Sequence, residues 1–90
     1  MIIRSVKFEN VEVIDRRLAD LGVPPAAFRR AIESKLKIEG LNFARRLDIE
    51  HAWARNLAAP GGRSAIFIFT LKGEEATIHS VLVVPDDARG

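Results

Sequence analysis

Residues 64–71, Ser-Ala-Ile-Phe-Ile-Phe-Thr-Leu, put large apolar side chains on both faces of any strand they form. Such a strand is stable only where it is central in its sheet, or where its second face meets a partner. The stretch that follows, residues 76–84, Ala-Thr-Ile-His-Ser-Val-Leu-Val-Val, is a matching strand. A turn over Lys72 to Glu75, centred on Gly73, joins the two, so the chain is predicted to close in a β-hairpin. Residues 59–63, Ala-Pro-Gly-Gly-Arg, form the loop before it, and Pro85 to Gly90 form a polar tail.

The first half reads differently. Residues 2–8 alternate as a strand, with Ile2, Val6 and Phe8 on one face, Arg4 at its edge, and Ser5 and Lys7 opposite. Asn10 can cap a helix, because its side chain can accept from the free amides of the next turn. Val11, Ile14, Leu18 and Leu21 then recur at helical spacing. Gly22 suits the left-handed residue after the last turn, with Val23 folding back on the helix. A second helix starts near Pro25, where a missing amide is harmless. Phe28, Ala31, Ile32 and Leu36 are its apolar stripe and Gly40 its stop.

Residues 42–58 fit two templates. Asn42 as a cap, with Phe43, Leu47, Ala54 and Leu57, gives a helix; Leu47, Ile49, Trp53 and Leu57 also share one face of a strand. A helix to about Asp48 is the expectation. The fold class is α+β over residues 1–90. It has an N-terminal strand and two or three helices, packed on one face of a three- or four-stranded antiparallel sheet that ends in the hairpin.

Composition limits the chemistry. There is no cysteine, which removes disulfides, thiolate catalysis and cysteine-ligated zinc, and favours a reducing, cytoplasmic setting. The longest apolar run, Ala65 to Phe69, is far too short to span a membrane. His51 and His79 are the two histidines, and nothing in their spacing pairs them or matches them with further metal ligands. No serine sits in a nucleophile elbow. Gly61-Gly62-Arg63 lacks the lysine and spacing of a phosphate-binding loop. Neither a metal nor a cofactor is expected.

Charge is more informative. The net charge is only +2, but ten of the fourteen basic residues are arginine, the better bidentate ligand for phosphate and carboxylate. They include the pairs Arg16-Arg17, Arg29-Arg30 and Arg45-Arg46. Each pair is either a solvated surface or a contact with a macromolecule. Trp53 and Arg55 together make the usual hot-spot combination of a protein interface. Otherwise Trp53, Phe67 and Phe69 are core. If Phe67 and Phe69 instead faced the side without helices, they would demand a dimer or another partner.

Residues 18–32, from Leu18 through Gly22 to Ile32, resemble a helix-turn-helix, in which Arg29 and Arg30 would face DNA. The whole-chain order, with Arg63-Ser-Ala-Ile-Phe-Ile-Phe and Ile78-His-Ser-Val-Leu-Val-Val as its last strands, resembles the small toxins of the RelE/ParE superfamily. That resemblance implies helices on one face of an antiparallel sheet. It further implies a small bacterial-type toxin or regulator acting on a macromolecule through arginine-rich helices. RelE-type members cut messenger RNA with basic groups and often a tyrosine, which this chain lacks; ParE-type members bind gyrase. Metal-independent RNA cleavage here would draw on His51, His79, Arg45, Arg55 and Arg63, with an imidazole moving the 2′-hydroxyl proton. Binding of nucleic acid or a protein partner would draw on Arg29, Arg30, Arg45, Arg46, Trp53 and Arg55. The alternative, from another class, is a non-catalytic protein-binding module or inhibitor that works through an exposed sheet face or Trp53, with a homodimer among its forms.

Overall fold

The computed structural model describes residues 2–49 and 51–85. Of the tail expected from Pro85 to Gly90, Pro85 ends the last strand and residues 86–90 lie outside the described residues. The elements run β1 (Ser5–Phe8), α1 (Val11–Asp20), α2 (Pro25–Glu39), β2 (Arg45–Arg46), β3 (Ala52–Ala59), β4 (Arg63–Lys72) and β5 (Glu75–Pro85). They form one five-stranded sheet in the order β1-β5-β4-β3-β2.

β4 sits at the centre, as its two apolar faces require. Ala65, Phe67 and Phe69 point to the helices and are fully buried, with Ala76, Ile78 and Val81 of β5 beside them. Phe67 and Phe69 are therefore core, and their rings pack 5.8 Å apart between centroids. The other face carries Ile66 and Ile68 of β4, with Leu82 of β5 directly opposite Ile66.

The sheet is mixed, not wholly antiparallel. β1 runs parallel to β5, while the other neighbours are antiparallel. The two helices carry the chain to the far edge, where β2 runs opposite to β1, and three antiparallel steps then bring β5 alongside β1 in the same direction. Residues 42–58 supply β2 and most of β3, which makes five strands where three or four were expected. The helix expected there to Asp48 is replaced by turns over residues 41–43 and the short strand β2. Gly40, at φ +59° and ψ −127°, stops α2 in a conformation open mainly to glycine. Local helix propensity then yields to pairing of Arg45 and Arg46 with Ala54 and Trp53. Trp53 and Leu57 do share a strand face, but Leu47 and Ile49 lie in the connection between β2 and β3.

Two helices, not three, cover the sheet. α1 buries Ile14 and Leu18, and α2 buries Phe28, Ile32 and Leu36. The α1 terminus is built as its sequence indicates. The Gly22 N–H donates to the Ala19 carbonyl (3.0 Å) and the Val23 N–H to the Leu18 carbonyl (2.9 Å). This is the two-bond closure that a left-handed glycine permits, with Val23 folded into the core. Asn10 occupies the cap position without a side-chain bond to the helix amides. β1 is shorter than expected: Ile2 is exposed and Ile3 is buried, because regular pairing begins only at Ser5.

Candidate functional site

Side chains opposite one another in a ladder share a face. Trp53 and Arg55 lie opposite Phe69 and Phe67, so both project to the helix side of β3. Arg46 lies opposite Trp53 and joins that face, while Arg45, opposite Ala54, is on the other side of the same edge. Four of the residues singled out by the sequence are thus neighbours on the β2–β3 ladder. Trp53 is half-buried, with its ring stacked 6.3 Å from Phe69. Arg45 and Arg46 are exposed.

Arg55 is the unusual member. Only 6% of it is exposed, which is rare for arginine. Its Nη2 donates to Glu39, at the last turn of α2. Its Nε and Nη1 have no hydrogen-bond partner. A buried donor without an acceptor costs about 1–3 kcal/mol, so this pair of N–H groups calls for an explanation. The ring of Phe43 partly supplies one, lying 5.6 Å from the guanidinium carbon. Phe43 is itself 79% exposed and held at φ +68°, a left-handed conformation that bulky residues seldom adopt. The Arg55 hydrogen bond holds the Glu39 carboxyl below its ordinary range, against the opposing effect of burial; the charges of Arg55 and Lys35 add to the lowering.

Sequence reasoning missed Glu39 and Phe43. A signal for Glu39 was present, because a carboxylate in the last turn of a helix opposes the macrodipole and needs a nearby cation. Phe43 carried none, since its position depends on the turn after Gly40.

The remaining candidates lie elsewhere. Arg29 grips Asp15 with Nε (2.8 Å) and Nη2 (3.2 Å), and rides over the Phe8 ring at 6.0 Å. It fastens α2 to α1 and β1. Arg30 is exposed on the outer side of α2. Residues 18–32 are two helices joined by a turn at Gly22, and Arg29, expected to face DNA, is directed inward to Asp15. Arg63 donates from Nε to the Pro60 carbonyl (2.7 Å) and from Nη1 to the Leu21 carbonyl (2.6 Å). It ties the β3–β4 turn to the end of α1.

His79 sits at the irregularity of the β4–β5 ladder opposite Ile68 and Phe69. Its Nε2 is 2.7 Å from Thr70 Oγ1 and its Nδ1 3.1 Å from Glu9 Oε1. The carboxylate can only accept, so Nδ1 donates its N–H to Glu9, while Nε2 and the Thr70 hydroxyl share the second bond. His51 is exposed at φ +58° just before β3, and its carbonyl accepts the Leu71 N–H (3.1 Å). Arg63 is at the far end of β3, paired with Ala59, roughly 25 Å of extended strand from His51. The five residues that RNA cleavage would draw on are therefore spread over the sheet. His51 lies just before β3, with Arg45 and Arg55 nearest it on the β2–β3 ladder, whereas His79 and Arg63 are apart.

Among the described residues, no group of three or more acidic or histidine side chains is placed to hold a metal. No helix among them is long and apolar enough to cross a membrane.

The chemistry available at the β2–β3 edge is recognition. Two unpaired guanidinium nitrogens behind Phe43, two exposed arginines and two aromatic rings can together hold an oxyanion and a flat ring. No protein-family model, curated protein or solved structure matches the chain.

Proposed function

We propose that the chain binds single-stranded nucleic acid at the β2–β3 edge, as a small toxin or regulator of the RelE/ParE type would. The observation that carries this reading is the buried Arg55, with Nε and Nη1 unpaired beneath Phe43 and beside Arg46 and Trp53. A phosphate oxygen supplies the acceptor those groups lack once the exposed Phe43 ring swings off them, and Arg45 and Arg46 follow the backbone electrostatically. Phe43 and Trp53 offer ring faces, which favours unpaired bases over a duplex. The order of strand, two helices and further strands supports the RelE/ParE setting. The arginines concerned sit on a strand edge and not on helices.

Fluorescence anisotropy with a labelled single-stranded RNA and a labelled duplex DNA, over a salt series, tests this reading. The expectation is micromolar binding of the single strand, weakening steeply with salt and clearly tighter than that of the duplex. Absence of binding at low salt removes the reading.

One observation favours a second reading, association with another copy of the chain. On the sheet face away from the helices, Leu82 is 52% exposed and adjoins Ile66 and Ile68. Ser64, Thr70, Thr77 and Ser80 surround them on the same face; its charges lie at the margins, with Arg45 beyond Ala54 on one side and Glu9 and the Lys7–Glu75 pair (3.3 Å) on the other. Two such faces would meet through these apolar residues, with the charges at the rim. Light scattering over a concentration series tests it: a dimer that Leu82→Lys converts to a monomer supports the reading, and a monomer throughout removes it.

A further inference from the structure

β5 is paired along only part of its outer edge. β1 ends at Phe8, opposite Ile78, and the Glu9 N–H donates the last bond on that side, to the Ile78 carbonyl (3.0 Å). From His79 to Pro85 no strand among the described residues lies beside β5 on that edge. Alternate residues there direct their N–H and C=O groups outward. An unpaired edge of this length is a template for another strand.

α1 runs beside this vacant stretch. It begins just after Glu9, next to Ile78, and ends at Leu21, whose carbonyl is held by Arg63. Arg63 in turn pairs with Pro85. The helix therefore accompanies the part of β5 that β1 leaves open. Val13 and Arg17 of α1, together with Ser80 and Val81 of β5, line a recess between them of about 80 Å³. A shallower recess continues from Val13 and Arg17 to Leu21. Val13 is 55% and Leu21 38% exposed, so α1 shows apolar side chains outside its core stripe, with Arg17 midway.

We infer that this trough is a docking slot for an extended peptide that adds a strand to β5 in line with β1. The spacing specifies its side chains. Val13, Arg17 and Leu21 recur every four helical residues, a rise of about 6 Å. Alternate residues of a strand recur every ~6.7 Å. A peptide reading apolar, acidic, apolar at every second position would set its outer residues on Val13 and Leu21 and its carboxylate on Arg17; Arg16 and Asp20 line the same recess, so Arg16 offsets the opposing charge of Asp20. The main chain would bond the β5 edge, and the alternate side chains would give selectivity. The partner class is thus a protein segment in extended form with an acidic residue between two aliphatic ones. The slot is remote from the Arg55 site, and the inference does not depend on what that site binds.

The test is an NMR titration of the nitrogen-labelled full chain with the blocked heptapeptide Thr-Val-Thr-Glu-Thr-Val-Thr. The expected result is saturable binding, with Kd on the order of 10–100 µM, and amide shifts and slowed exchange concentrated between Ser80 and Val84. Arg17→Glu should weaken binding about tenfold, and the peptide with Lys in place of Glu should recover it on that variant. Methylating the backbone nitrogens of the third and fourth peptide residues, which keeps the carboxylate, should abolish binding by removing a donor. The inference is overturned by absence of saturation at about 2 mM peptide, by unchanged affinity in Arg17→Glu, or by shifts centred on Ile66, Ile68 and Leu82.

Discussion

Glu39, at the end of α2, accepts a hydrogen bond from Arg55, in the middle of β3, and so joins the helical layer to the sheet through a nearly buried guanidinium. The pair holds the Glu39 carboxyl below its ordinary value near 4.5. A depressed carboxyl contributes stability above its unfolded pKa and loses it as pH falls through the folded one. Glu39→Gln cannot make that contribution. The stability difference between native protein and variant, from urea unfolding, should therefore be largest near neutral pH and shrink below about pH 4.5. A difference that stays constant down to pH 3 would contradict the coupling.

Phe43 combines a left-handed backbone with a ring over Arg55. Glycine relieves the backbone, whereas a β-branched residue strains it further. Phe43→Gly should be more stable than Phe43→Val by about 1 kcal/mol, and both should bind single-stranded RNA more weakly than the native chain. The order of the two midpoints in urea checks the backbone, and anisotropy checks the ring.

At Gly22, φ is +75° and an added Cβ would meet nothing within 4 Å. The cost of Gly22→Ala is therefore backbone strain alone, about 1 kcal/mol, read as a lower urea midpoint with an unchanged slope. A neutral result would mean that the end of α1 tolerates another closure.

Neighbouring residues of β4 should differ sharply. Phe67 is fully buried against the helices, while Ile68 faces outward. Phe67→Ala should cost about 3–5 kcal/mol and Ile68→Ala less than about 1 kcal/mol. Equal losses would place the core on the wrong face of the sheet.

The parts of this fold legible in the sequence are those fixed by neighbours along the chain. The β4 apolar run, the Gly73 turn, the Gly22 closure and the stripe of Phe28, Ile32 and Leu36 each follow from local period or backbone chemistry. Residues 42–58 did not, because Asn42, Phe43 and Leu47 satisfy a helical period as well as Trp53 and Leu57 satisfy a strand. Only pairing with β4 decides between them, and that is a long-range contact. The parallel docking of β1 is long-range in the same sense. At the candidate site, Arg45, Arg46, Trp53 and Arg55 stood out by residue type and sequence proximity. Their meeting with Glu39 and Phe43 depends on where α2 ends against the sheet. Arg29 and Arg63 looked equivalent to them in sequence, and are distinguished only by the Asp15, Pro60 and Leu21 oxygens that hold them.

Trp53 is the only tryptophan in the chain, and it stands on the face shared by Arg46 and Arg55. Its emission during titration with a short single-stranded RNA is the most direct measure of the proposed site. Saturable quenching is expected at the midpoint found by anisotropy. That quenching should weaken with salt and be lost or shifted at least tenfold in the Arg45→Gln, Arg46→Gln double variant. Binding that leaves Trp53 emission unchanged, or that the double variant retains in full, would place the contact elsewhere and contradict the account.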